Sequence, residues 1–190
     1  MKRDLKSFFR NESGTQSVEA VFAFPLVALA IIMTLTFWDG FHTKTVSQRA
    51  TYTVADMLSR EKQAIDADYL TAMHELYDFV AKENGGTALR VSVVQFFVDP
   101  TTADETLSLV WSEGVGGPSG HADIKNLRDR IPLMASGDQL IVVESFHNWT
   151  PIFNVGIDPL QFVDVAITRP RFAPNLVWDD GTIIATGTSS

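Results

Sequence analysis

A chain of 190 residues, 45% hydrophobic, has room for one membrane span plus one domain of about 130 to 150 residues. Its formal net charge of −8 argues against nonspecific binding to nucleic acid. Cysteine is absent, which removes disulfide frameworks and thiolate metal sites.

The chain opens with a basic segment containing Lys2, Arg3, Lys6 and Arg10. After it, Ala20 to Trp38 carries no formal charge. As a helix this run is ~29 Å long at ~1.5 Å per residue, enough to cross a bilayer core of about 30 Å. Thr34 and Thr36 can return their hydroxyls to backbone carbonyls within the helix. Pro25 has no N–H, so a kink or local loosening is expected there. The basic flank outweighs the sparser, mixed charges Asp39, Lys44 and Arg49 beyond the run, which places the N-terminus in the cytoplasm and the rest across the membrane. A cleaved secretory signal has the same plan. Its small-x-small candidate, Ala28-Leu29-Ala30, lies inside the run with Ile31-Ile32-Met33 still to come, so retention of the span is expected.

Glu19 stands at the mouth of this run. A carboxylate costs about 2.5–3.5 kcal/mol at mid-span and less at the interface, and such a residue is usually paired or functional. Headgroup water and the positive end of the helix offer a purely structural account.

Residues 41–63 continue the helix, with Val46, Ala50, Val54, Met57 and Leu58 recurring on one side at three- and four-residue steps. No proline or glycine occurs from Phe41 to Asn84, and a helix from near Thr15 to near Arg60 would be ~70 Å long. Asp66-Ala67-Asp68 supplies a break and cap. A second helix follows over about Asp68 to Lys82, with Leu70, Met73, Leu76, Tyr77 and Val80 on its apolar face, stopped by Asn84-Gly85-Gly86. Leu89–Val98 and Leu107–Ser112 read as strands, antiparallel to each other. The glycine-rich stretch Gly114 to Gly120 is a loop with no P-loop lysine. Asp123–Met134 reads as a short helix broken near Pro132. Gln139–Asn148 and Gln161–Thr168 read as further strands, and a loose tail follows.

His42, His74, His121 and His147 show no metalloprotease spacing, and no GxSxG elbow occurs. Asp104-Glu105 and Asp179-Asp180-Gly181 fit solvated turns better than calcium loops. The expectation is therefore no catalytic residue, no metal and no cofactor. Arg169 and Arg171, at a strand end, are candidates for binding an acidic partner surface.

The run Gly14-Thr15-Gln16-Ser17-Val18-Glu19-Ala20-Val21-Phe22-Ala23-Phe24-Pro25-Leu26 resembles the N-terminus of TadE/TadG-like minor pseudopilins of tight-adherence (Flp-type, type IV-related) pili. The stretch from Gly137 through Glu144 to Pro151, followed by Arg169-Pro170-Arg171, resembles their C-terminal part more weakly. The resemblance implies cleavage after Gly14 by a prepilin peptidase, with Thr15 as the new N-terminus. Major Flp pilins have tyrosine after the glutamate; Ala20 here points to the minor branch. Glycine suits a scissile position because no side chain obstructs an extended backbone. The freed amine could pair with Glu19 of its own or a neighbouring subunit, which makes a carboxylate tolerable in a low-dielectric setting and sets helix register.

The expected fold is α+β and pilin-like. A long N-terminal transmembrane helix continues into a soluble domain with a small antiparallel sheet and one or two packed helices. The expected divisions are a basic leader at 1–14, a transmembrane helix at 15–39, a periplasmic domain at 40–175 and a tail at 176–190. The expected function is structural. The chain would be a minor pseudopilin-like component in pilus assembly, held in the bacterial inner membrane with its domain periplasmic. Processing would use Gly14, Thr15 and Glu19, and subunit assembly Glu19 and Pro25. Its partners would be other pilins and pseudopilins, the inner-membrane assembly machinery and a prepilin peptidase. The alternatives are a membrane-anchored periplasmic binding module and, less favoured, a secreted enzyme.

Overall fold

The computed structural model describes residues 13–82, 86–101, 104–122, 128–132 and 134–181. The basic leader before Ser13 lies outside the described residues. So do part of the turn expected at Asn84-Gly85, part of the helix expected over Asp123–Met134, and the tail from 182 onward. The chain divides into two compact units, one of Met1–Phe41 with Thr150–Asp158 and one of His42–Trp149 with Pro159–Ser190.

Helix α1 spans Ser13–Arg60, 48 residues, and continues through Pro25 without being divided. Thr34 Oγ1 donates to the Ala30 carbonyl at 2.8 Å and Thr36 Oγ1 to that of Ile32 at 2.9 Å. The hydroxyls are thus satisfied inside the helix, as apolar surroundings require. From His42 onward the helix buries two i,i+4 rows, Ala50-Val54-Leu58 and Ser47-Thr51-Ala55. Met57, expected on the apolar side, is instead 44% exposed. The buried stripe turns away from it because its second row is built of small and hydroxylated residues.

Helix α2 spans Ala67–Ala81. Asp66 caps it by accepting the Tyr69 N–H at 2.8 Å. It ends at Lys82, a non-glycine residue in the left-handed region at φ 59°. Leu70, Met73, Tyr77 and Ala81 form its buried face.

Four strands follow: β1 (Thr87–Val98), β2 (Glu105–Val115), β3 (Gln139–Trp149) and β4 (Leu160–Thr168). They form one antiparallel sheet in the order β2-β1-β3-β4. The two central strands are buried on both faces, which is why they read as near-continuous apolar runs rather than alternations. One face, with Leu89, Val91, Val93, Ile141, Val143 and Ala166, packs against the buried residues of α1 and α2. The other buries Val94, Leu140 and Val142, with Leu107 and Leu109 of β2 alongside and Ile131 and Met134 packed against them. A bulge between Val93 and Val94 takes up one extra residue of β2.

Of the segment expected as a helix over Asp123–Met134, residues 123–127 and 133 lie outside the described residues; the described part holds a 3-10 turn, Arg128–Arg130. The segment after β4 departs from expectation. Leu176 is buried, Ile65 N–H donates to the Val177 carbonyl and Asp179 N–H to that of Ile65, at 2.9 and 2.8 Å. Residues 176–179 therefore belong to the packed unit rather than to a loose tail. The architecture, a long N-terminal apolar helix followed by an antiparallel four-stranded sheet, is α+β and consistent with a pilin-like fold.

Candidate functional site

Between Val18 and Phe41, α1 exposes Val21, Phe22, Phe24, Leu26, Leu29, Ile31 and Leu35, with Phe24 at 76%. At 100° per residue these positions, together with exposed Val27, Phe37, Trp38 and Phe41, point in every direction around the axis, forming a sheath rather than a stripe. The helix is long and apolar enough to cross a membrane, a property of membrane anchors and of signal sequences. Exposed Glu19 lies one turn from the first described turn of the same helix, which holds Gly14 and Thr15. Pro25 lies within it, also exposed. Gly14, Thr15, Glu19 and Pro25 thus share one continuous helix, and the spacing seen in the sequence becomes a fixed axial interval.

A buried polar seam joins α1 to α2 and the sheet in the second unit. Ser47 Oγ donates to Asp164 Oδ2 at 2.7 Å and shares a 2.8 Å hydrogen bond with the Tyr77 hydroxyl. Because the single Ser47 proton goes to the carboxylate, the Tyr77 hydroxyl is the donor to Ser47. Burial pushes the Tyr77 phenol pKa up, with the Asp164 charge adding to it, so the proton stays in place. Lys44 Nζ closes the other side of Asp164 at 2.6 Å. Thr51 Oγ1 donates to the Ser47 carbonyl and lies 2.6 Å from Ser145 Oγ. Every polar atom named here has a partner, the condition under which a buried network is tolerable.

On the opposite sheet face, Glu144 is buried between two arginines and a histidine. Arg90 Nε donates to its Oε2 at 2.8 Å, His121 Nε2 lies 2.7 Å from the same oxygen, and Arg130 Nη1 donates to Oε1 at 3.2 Å. Burial pushes the Glu144 carboxyl pKa up, but the Arg90 and His121 hydrogen bonds and charges outweigh it, holding the pKa below the ordinary value. The loop after β2 is pinned by the same cluster, since His121 N–H donates to Ser112 Oγ.

Arg169 and Arg171, candidates for partner binding, are both engaged within the chain. Arg169 Nη1 lies 3.0 Å from Asp138 Oδ2, and Arg171 Nη1 lies 3.4 Å from Asp56 Oδ1. Asp179 Oδ1 accepts the Gly181 N–H, a solvated turn. Among the described residues no three His, Asp or Glu side chains converge as metal ligands would. An open cleft of about 580 Å³ lies between Trp111 and the segment Asn175–Trp178; Gln139 lines it, and its buried Oε1 has no hydrogen-bond partner among the described residues.

Lys44, Tyr77, His121 and Glu144 drew attention in the sequence for other reasons, but nothing there read them, or Ser47, Arg90 and Asp164, as members of polar clusters. A signal existed: Glu144 and Asp164 are the carboxylates of their strands and sit next to apolar runs. Nothing in their spacing names the partners, which lie tens of residues away. No protein-family model, no curated protein and no solved structure matches this chain.

Proposed function

We propose that this chain is a minor pseudopilin-like structural component in the assembly of a tight-adherence pilus and that it performs no catalysis. In this reading α1 is anchored in the bacterial inner membrane, with its N-terminus cytoplasmic and the sheet domain periplasmic. A prepilin peptidase cuts after Gly14, and Thr15 becomes the N-terminal residue. Other pilins, pseudopilins and the inner-membrane assembly machinery are the partners. The observation that carries this reading is the position of Glu19, a carboxylate on the same helix as Gly14, at the start of an apolar sheath exposed on all sides. An amine freed at Thr15, or that of a neighbouring subunit, would answer the charge one turn away.

Intact mass and N-terminal sequencing of the protein recovered from membranes test it. A chain beginning at Thr15, together with loss of filaments in Glu19→Ala while the protein still inserts, is the expected result. A chain beginning at Met1, with filaments unchanged in that variant, overturns it.

A second reading is a membrane-tethered periplasmic binding module. The cleft at Trp111, where Gln139 Oε1 lacks a partner among the described residues, favours it. Under that reading Glu19→Ala is silent, and Gln139→Leu weakens ligand capture.

A further inference from the structure

We infer that the loop between β3 and β4, Thr150–Ile157, is a second membrane contact that rests in the headgroup layer beside α1; the inference depends on α1 crossing a bilayer. The loop belongs to the same compact unit as the apolar portion of α1. Its sequence, Thr-Pro-Ile-Phe-Asn-Val-Gly-Ile, contains no charged residue before Asp158. Loops that run through water are normally polar. Here Ile152 and Phe153 are adjacent and exposed, at 65% and 40%. A single exposed apolar residue means nothing; an uncharged loop presenting two together is a patch.

The helix portion in that unit favours lipid over protein as the occupant. Apart from the covered or partly covered row Ala28, Ile32, Thr36 and Gly40, its exposed apolar side chains face outward on the remaining sides, a wider surface than a single partner helix would take. Toward the C-terminal end of the apolar run it exposes Phe37, Trp38 and Phe41, the aromatic enrichment expected where a span meets the interface. Thr36 and Gly40 are buried there and Ala28, Ile32, Met33 and Asp39 are partly covered, while Phe37, Trp38 and Phe41 stay exposed.

The loop backbone sets the depth. It is irregular, with Pro151 and with Gly156 in the left-handed region at φ 84°. Its described internal backbone hydrogen bond is Val155 N–H to the Phe153 carbonyl. Such backbone needs water, so it cannot enter the hydrocarbon core. It fits the interface, where apolar side chains reach about 5–10 Å inward and the main chain stays hydrated. Two contacts, a helix and a loop, bury more apolar surface in the bilayer than the helix alone.

Absence of cysteine makes the test direct. Ile152→Cys and Phe153→Cys, each labelled with a polarity-sensitive fluorophore, are placed in the full chain in phosphatidylethanolamine/phosphatidylglycerol vesicles. Leu29→Cys serves as the span control and Glu75→Cys, exposed on α2, as the water control. The expected result is a blue shift at both loop positions, quenching by nitroxide lipid and loss of quenching by iodide, with Glu75 unprotected. A lipid-exposed Leu29 label with water-exposed loop labels overturns the inference and leaves the span standing. Water exposure at Leu29 as well overturns both. Loop labels shielded from both quenchers, with spin labels showing close pairs, would mean that a second copy covers the patch and would also overturn it.

Discussion

Ser47 on α1 donates a hydrogen bond to Asp164 Oδ2 on β4, the edge strand of the sheet, at 2.7 Å. The two residues are far apart in sequence, both are buried, and both depend on a third group, the Tyr77 hydroxyl or the Lys44 ammonium, to complete their bonding. This fixes which turn of the helix meets the strand. Apolar packing between the same elements could slide by a turn; a buried carboxylate that requires a hydroxyl at one position cannot.

Ser47→Ala should therefore destabilise the domain by about 1–3 kcal/mol, the cost of leaving a buried acceptor short of a partner. Thermal unfolding of the full chain in detergent would measure it. Tyr77→Phe should couple non-additively to Ser47→Ala, since the two hydroxyls act in one chain of donors.

Glu144 makes stability depend on acid. Its folded pKa lies below the ordinary 4.5, so its contribution is present above the unfolded value and is lost as pH falls through the folded one. The wild-type chain should lose stability steeply below about pH 4.5, and Glu144→Gln should flatten that limb. At neutral pH the variant should cost about 3–5 kcal/mol, because Arg90 and Arg130 lose the anion they share. Unfolding midpoints across the acid range would check both statements.

The segment after β4 is part of the core. Leu176→Ala should cost about 2–5 kcal/mol, as for other buried leucines. The Trp111 indole N–H donates to the Leu176 carbonyl at 2.9 Å and its ring lies 5.4 Å from that of Trp178, so tryptophan fluorescence should report the same loss.

Gly114 is required for space and not for a left-handed backbone. A Cβ there would lie 1.9 Å from the Pro118 carbonyl oxygen, a backbone atom that cannot rotate away. Gly114→Ala should cost at least about 1–3 kcal/mol and loosen the loop that carries His121. Gly137 has φ +91° and nothing within 4 Å, so Gly137→Ala should cost only the backbone strain of about 1–2 kcal/mol. Comparison of the two unfolding temperatures would separate the effects.

The local elements were legible because their signals are local. An uncharged run, a stretch free of proline and glycine, the cap at Asp66 and the β-branched segments each act through neighbours in the chain. Two places differ from local expectation because a distant element decides them. Met57 has helical spacing with the core face but lies outside it, because Ser47, Thr51 and Ala55 form the second buried row. Residues 176–179, expected in a loose tail, pack against Ile65 instead.

By itself the amino-acid order determined that a long apolar helix leads into an α+β domain, and that Gly14, Glu19 and Pro25 lie along one helix at set intervals. Backbone geometry converts spacing into axial distance with no outside help. Only the tertiary structure decided that β3 lies between β1 and β4, that Asp164 meets Ser47, and that Arg90, His121 and Arg130 converge on Glu144. Those choices rest on burial. A charge in a strand must be answered once water is removed, and the groups that answer it are selected by how sheet and helices close together rather than by their order in the chain.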